Sequence, residues 1–145
     1  LIKNHADIAS FQTIFQGEFD LGRMGVHTGG KSPPSAYELH MEHTLTSYTG
    51  HYTIGGDAGS DFQNSPADPA FWSHHGMIDR VWWTWQNQDI VSRQYAIAGS
   101  TFIGGGGPNG TLNDTISFGA YVGAKDITIR DAMSTLAGPF CYIYA

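Results

Sequence analysis

Residues 68–86 run Asp-Pro-Ala-Phe-Trp-Ser-His-His-Gly-Met-Ile-Asp-Arg-Val-Trp-Trp-Thr-Trp-Gln, and no other stretch limits the fold as strongly. Asp68 can accept hydrogen bonds from the first free N–H groups of a helix, and Pro69 suits its first turn. Apolar residues then recur at helical spacing to about Gln88. This places Phe71, His75, Ile78, Asp79, Trp82 and Trp85 on one broad face. All four tryptophans, at 72, 82, 83 and 85, belong to this helix, which predicts it as the centre of the core. It also carries the adjacent pair His74-His75, and Asp79 follows the second histidine by one turn on the same face. Imidazole is a good ligand for transition-metal ions, and a ligating ring is usually oriented through its other nitrogen. The alternative for such a pair is two buried histidines satisfied by hydrogen bonds.

The rest of the chain is less regular. Residues 5–17 place Ile8, Phe11, Ile14 and Phe15 at helical spacing, and Gly17 can end that helix. Small residues surround His27, and the Gly29-Gly30 pair weakens any helix there. Residues 31–50 start with Lys-Ser-Pro-Pro and carry no clear period, which marks them as an insertion. Residues 52–64 are Gly- and Asp-rich loop, and Gly104–Gly107 before Pro108 is another. Thr115–Phe118 and Asp126–Ile129 read as short edge strands, and Thr128-Ile-Arg-Asp131 as an acidic capping box. The tail from Gly138 to Tyr144 reads as a strand ending on tyrosines.

Composition narrows the function classes. The 145 residues are 41% hydrophobic and 13% aromatic, enough for a real core. A formal charge of −6 and only seven scattered Lys and Arg leave no basic stripe for nucleic acid or anionic lipid. No apolar run approaches the roughly 20 residues that span a bilayer. The expected partners are therefore small molecules, with no nucleic acid and no membrane. Cys141 has no second cysteine to pair with and reads as a packed core residue rather than a ligand. The sequons Asn109-Gly-Thr111 and Asn113-Asp-Thr115 lean toward export, hence an extracellular location. The chain opens Leu-Ile-Lys-Asn-His without a leader, so the expectation is a cut N-terminus with any signal peptide upstream.

The segment from Asp68 to Trp82 resembles the signature Asp-Pro-x-Phe-x-x-His-His-x-x-x-Asp-Arg-x-Trp of the second copper site in tyrosinases and catechol oxidases, the type 3 copper proteins. The resemblance implies His75 as a copper ligand, His74 as its support from outside the ligand shell, and Asp79 as the acid that orients ligand imidazoles. The family's two other ligands to this copper stand as His-x-x-x-His. Here His27 has Lys31 at that spacing, and an ammonium cannot ligate. With residues 31–50 removed, His27 and His51 fall four apart, and the spliced text is similar to the short fungal members of the family. The implied ligand set is therefore His27, His51 and His75. By offset, Glu18 matches an acid that holds a water near this copper, and Phe62 matches a phenylalanine that gates the site in plant catechol oxidases. Thr28 stands where many monophenol-hydroxylating members carry Asn, which points toward o-diphenols. The tail Phe140–Tyr144 is similar to the tyrosine motif that closes the catalytic domain.

The resemblance covers residues 5–30 and 51–144, and identifies the chain as the C-terminal, second-copper half of a tyrosinase copper-binding domain with an insertion at 31–50. The implied fold is mainly α, a partial helical bundle with small β elements that lacks the helices of the first copper site. The implied activity is oxidation of o-diphenols to o-quinones by dioxygen, which takes two coppers in the complete domain and at most one from this chain. The chain alone is then expected to be inactive and to require an N-terminal half. Two other readings remain: an o-aminophenol oxidase, or an inactive remnant binding at most one metal ion. His40 and His43 are read as surface residues of the insert. That insert is expected to be a translated intron: codons for Gly30-Lys-Ser32 can hold a splice donor, those for Thr49-Gly50 an acceptor, and the excised codons leave the frame intact.

Overall fold

The computed structural model describes residues 2–18, 23–29, 65–102 and 106–145, excluding the side chains of residues 18, 23, 24, 28 and 29. The chain is mainly α and divides into two compact units, residues 1–11 with 83–145, and residues 12–82. The insertion at 31–50 lies outside the described residues, as do His40, His43, His51 and Phe62.

Helix α1, Ile8–Gln16, starts where Asp7 accepts the Ser10 N–H at 2.8 Å and the Ser10 hydroxyl at 2.5 Å. These bonds, the hydroxyl first, hold the Asp7 carboxyl below its ordinary pKa. Of the apolar positions expected on its inner face, Phe11 and Phe15 are buried while Ile14 is exposed. The helix ends at Gly17, whose φ of +105° lies in a region costly to any side chain. The two-residue strand β1, Gly17–Glu18, then pairs antiparallel with β2, Arg23–Met24, in the register Gly17 with Met24 and Glu18 with Arg23. Gly25 follows, and a Cβ there would collide with the backbone of residues 15–17. Only glycine lets the chain pass so closely into the short helix α2, Val26–Gly29.

A 3-10 turn, Ser65–Ala67, leads into the long helix α3, Pro69–Gln88. Its bounds are those expected from the sequence, and Asp68 accepts the Ala70 N–H at 2.9 Å. The tryptophan expectation needs correction. Of the four, only Trp85 is fully buried, Trp82 and Trp83 are half-buried, and Trp72 is 65% exposed with its indole N–H on the Pro66 carbonyl. The buried end of α3 is thus its last turn, where Trp85 and Gln86 lie side by side.

Trp85 organises the unit of residues 1–11 and 83–145. Phe11 stacks on it at 4.6 Å, its indole N–H donates to the His5 carbonyl at 2.7 Å, and the Arg93 guanidinium lies 4.8 Å from the ring centroid. Arg93 also donates to the Trp85 carbonyl at 3.0 Å, so this buried cation has both a π face and an acceptor. Arg93 closes helix α4, Ile90–Arg93. Buried Gln86 donates to the carbonyls of Gln94 and Met133, at 3.0 and 3.1 Å, tying α3 to the chain beyond it.

The two expected edge strands pair with each other, in shorter form: β3, Thr115–Ile116, runs antiparallel to β4, Ile127–Thr128. The capping box forms as read. Thr128 and Asp131 exchange hydrogen bonds at the start of helix α5, Ile129–Ala132.

The tail is not a strand. Gly138 turns the chain at φ +63°, where a Cβ would press on the Asp131 carbonyl, and Tyr142 N–H bonds to the Thr135 carbonyl instead of joining a ladder. Alternation survives in the side chains: Phe140, Tyr142 and Tyr144 meet edge to face in succession, and Tyr144 meets Trp83 the same way. Period-2 spacing here builds a row of rings without strand pairing. Cys141, within that tail, is exposed, which overturns its reading as a core residue.

Candidate metal centre

The site lies in the unit of residues 12–82. Helix α3 presents Phe71, His74, His75 and Asp79 within about two turns, and α2 presents His27. Spacing of four along α3 puts the Phe71 ring under that of His75, and the two stack at 4.1 Å with 28° between planes. The His27 ring meets the His75 ring edge to face at 5.3 Å. His74 lies nearly parallel to His27 at 5.7 Å, and its Nε2 is 2.7 Å from the His27 backbone oxygen. A carbonyl only accepts, so Nε2 of His74 carries the hydrogen and donates it.

The geometry separates the two members of the histidine pair. His74 commits Nε2 to the backbone of α2, whereas His75 is packed on Phe71 and turned toward the His27 ring. Nδ1 of His27 is shielded from solvent. With metal–nitrogen bonds of about 2 Å, imidazoles whose centroids are 5.3 Å apart can reach a common ion, and two nitrogen donors suit copper. The donor set therefore fits the metal as far as it is described. Among the described residues no group of three His, Cys, Asp or Glu side chains is assembled. The third expected ligand, His51, lies outside them.

The remaining expected site residues divide accordingly. Asp79 is half-buried, one turn beyond His75 on α3. Glu18 is placed by its backbone in β1, opposite Arg23, and its side chain is outside the description. Phe62 lies outside the described residues. Two contributions were not assigned from sequence: Phe71 as the surface on which His75 rests, and the His27 carbonyl as the acceptor for His74. The first was available in the i, i+4 spacing. The second joins residues 47 apart and has no local sequence signal.

Comparison with known proteins matches residues 1–88 to the family described as the common central domain of tyrosinase. The chain belongs to the tyrosinase family. "Tyrosinase P" of Aspergillus terreus is 43% identical over 140 residues, covering 95% of this chain and 33% of that protein. "Oxidase hkm6" of Aspergillus hancockii is 34% identical over 109 residues, 74% of this chain and 37% of that protein. "Tyrosinase ustQ" of Aspergillus flavus is 36% identical over 107 residues, 74% of this chain and 27% of that protein. The chain thus spans about a third of the length of these relatives. Tyrosinases are a family of copper oxidoreductases, and the long α3 helix with its His-His pair lies within the matched region.

Proposed function

We propose that this chain forms the second copper site of a binuclear oxidase that converts o-diphenols to o-quinones with dioxygen, the first site coming from sequence that its longer relatives possess. The observation that carries the proposal is the meeting of His27 and His75, from separate helices, with rings 5.3 Å apart. His27, His51 and His75 would hold the copper, which when bound supplies one-electron redox chemistry. Each diphenol loses two electrons and two protons, and one dioxygen takes up four of each to give two waters, so two diphenols are consumed per dioxygen. A single copper exchanges one electron at a time and cannot take both electrons of a diphenol together, so the isolated chain would be inactive on this reading.

This chain's own residues hold the site in shape. Phe71 supports the His75 ring, His74 grips the α2 backbone, and Asp79 stands where the family's imidazole-orienting acid does. Thr28, adjacent to His27, lacks the amide that orients a water for phenol deprotonation in monophenol-hydroxylating relatives, which favours o-diphenols as substrates. Glu18 would hold a water near the metal and Phe62 would gate it. The sequons at Asn109 and Asn113, both exposed, support an exported protein.

Copper titration of the chain and of His75→Ala, followed by Cu(II) spectroscopy, tests the site. One copper should bind to the parent chain and be lost in the variant. Equal uptake by both would sink the assignment.

A further inference from the structure

We propose that Asn113 is a site of N-linked glycosylation in the exported chain, and that the neighbouring sequon at Asn109 is left unmodified. The inference rests on the reading of this chain as exported and is independent of the copper site. Both asparagines stand in Asn-x-Thr sequons, Asn109-Gly-Thr111 and Asn113-Asp-Thr115, and both are exposed. Sequence and exposure alone do not rank them. The bonds around each sequon do.

Asn113 lies in the turn Thr111–Asp114, which the Asp114 N–H closes on the Thr111 carbonyl at 3.1 Å. Thr111 adds two bonds of its own: its N–H and its hydroxyl both donate to the Asp114 carboxylate, at 2.9 and 2.7 Å. The acceptor motif requires a hydroxyl two residues after the asparagine. For Asn109 that hydroxyl is the one bonded to Asp114. Backbone pairing holds the same sequon a second time. Asn109 faces Ser100 in an antiparallel bridge, the Gly110 N–H donates to the Gly99 carbonyl at 3.0 Å, and the Thr101 N–H donates to the Pro108 carbonyl at 2.9 Å. All partners in these bonds lie between residues 99 and 114, so the lock can close as soon as that stretch has been made.

The Asn113 sequon is held by residues that come later. Thr115 pairs with Thr128, and the carbonyls of Leu112 and Asp114 accept the N–H groups of Arg130 and Ile129, both at 2.9 Å. Synthesis at roughly 5–20 residues per second takes about 1–3 s to cross that gap, whereas a local hairpin forms in about 1–10 μs. Asn113 and the Thr115 hydroxyl therefore stay open to the transferring enzyme after the Asn109 sequon has closed. In the transfer, the Asn113 amide nitrogen attacks C1 of the first sugar of a lipid pyrophosphate-linked oligosaccharide. A nitrogen–C1 bond forms, the C1–O bond to the pyrophosphate breaks, the lipid pyrophosphate leaves and the amide gives one proton to a base, with no change of oxidation state. The glycan then projects from an exposed turn.

The test translates the 145-residue chain, with a cleavable secretory leader supplied, in the presence of endoplasmic-reticulum microsomes. The supplied leader separates the site from the question of natural export, and modification read on the translocated chain requires neither copper binding nor secretion. The parent should show a single endoglycosidase-sensitive shift, lost in Asn113→Gln and Thr115→Ala and kept in Asn109→Gln. Thr115→Ser, which retains a hydroxyl, should keep it as well. Translocated parent chains without a shift, two shifts in the parent, or a shift lost in Asn109→Gln and kept in Asn113→Gln would overturn the inference. A shift in microsomes with the natural protein found unmodified inside its own cells would support the site and defeat the export reading alone.

Discussion

Phe11 and Trp85 stack at 4.6 Å with 23° between their planes, and both rings are wholly out of solvent. They come from opposite parts of the sequence and form the apolar centre of the unit made by residues 1–11 and 83–145. Phe11→Ala should therefore cost about 3–5 kcal/mol of unfolding free energy, through lost burial and the cavity left against the indole. Urea unfolding followed by tryptophan fluorescence measures it. A loss near that of an exposed position such as Ile14→Ala would show the stack to be incidental.

A copper-based prediction concerns Phe71. Its ring is the surface on which His75 rests, so Phe71→Ala should loosen the imidazole and weaken copper binding without removing a donor. Phe71→Tyr, which keeps the ring, should bind nearly as the parent does. Titration of the three proteins side by side checks the order.

Acid stability should depend on the capping carboxylates. Hydrogen bonds from the Thr128 backbone, then from its hydroxyl, hold the Asp131 carboxyl below its ordinary value of 3.8, and bonds from Thr111 act likewise on Asp114. A depressed folded-state pKa means the stabilisation is complete above the unfolded value and is lost as pH falls through the lower, folded one. The melting temperature should drop as pH falls below about 4, and Asp131→Asn should flatten part of that decline. An unchanged acid limb in the variant would remove Asp131 from the account.

Substrate preference offers a further check on the proposed chemistry. Joined to a half that carries the first copper site, as the proposed function requires, the protein should oxidise catechols faster than monophenols, given Thr28 beside His27. Oxygen uptake on 4-tert-butylcatechol and on tyrosine compares the two. Equal rates without a lag on tyrosine would count against the o-diphenol reading.

The status of residues 31–50 is decided by the transcript. If they are a retained intron, mature messages should lack the corresponding nucleotides, and the translated product should carry His27 and His51 four residues apart. Messages that keep them in most copies would rule the intron out. The two histidines would then have to converge across the insertion.

Local signals carried over well from sequence to structure. The bounds of α3 follow from Asp68, Pro69 and the apolar period, and the Thr128–Asp131 capping box needs only its own four residues. What sequence did not convey depends on distant partners. The tryptophans of α3 share a helix but differ in burial: Phe11, His5 and Arg93 converge on Trp85, whereas Trp72 is 65% exposed with its indole N–H on the Pro66 carbonyl. The tail alternates as a strand does, yet Gly138 and the Thr135 carbonyl turn it aside from any ladder. At the candidate site the motif placed His75 and the excision argument singled out His27, whereas the His74 bond to the His27 carbonyl emerges only when α2 and α3 are seen together.

The bond from the Trp85 indole to the His5 carbonyl spans 80 residues of chain. During synthesis that pair cannot close until Trp85 has been made, 80 residues after His5, so contacts within residues 12–82 have the earlier opportunity to form. The same pairing gives the chain a resistance that a linear string of elements would lack. A single proteolytic nick between residues 12 and 82 would yield two peptides whose ends, at His5 and Phe11 on one and Trp85 on the other, still belong to one folded unit. Such a nicked protein should elute intact from a sizing column and separate only in denaturant.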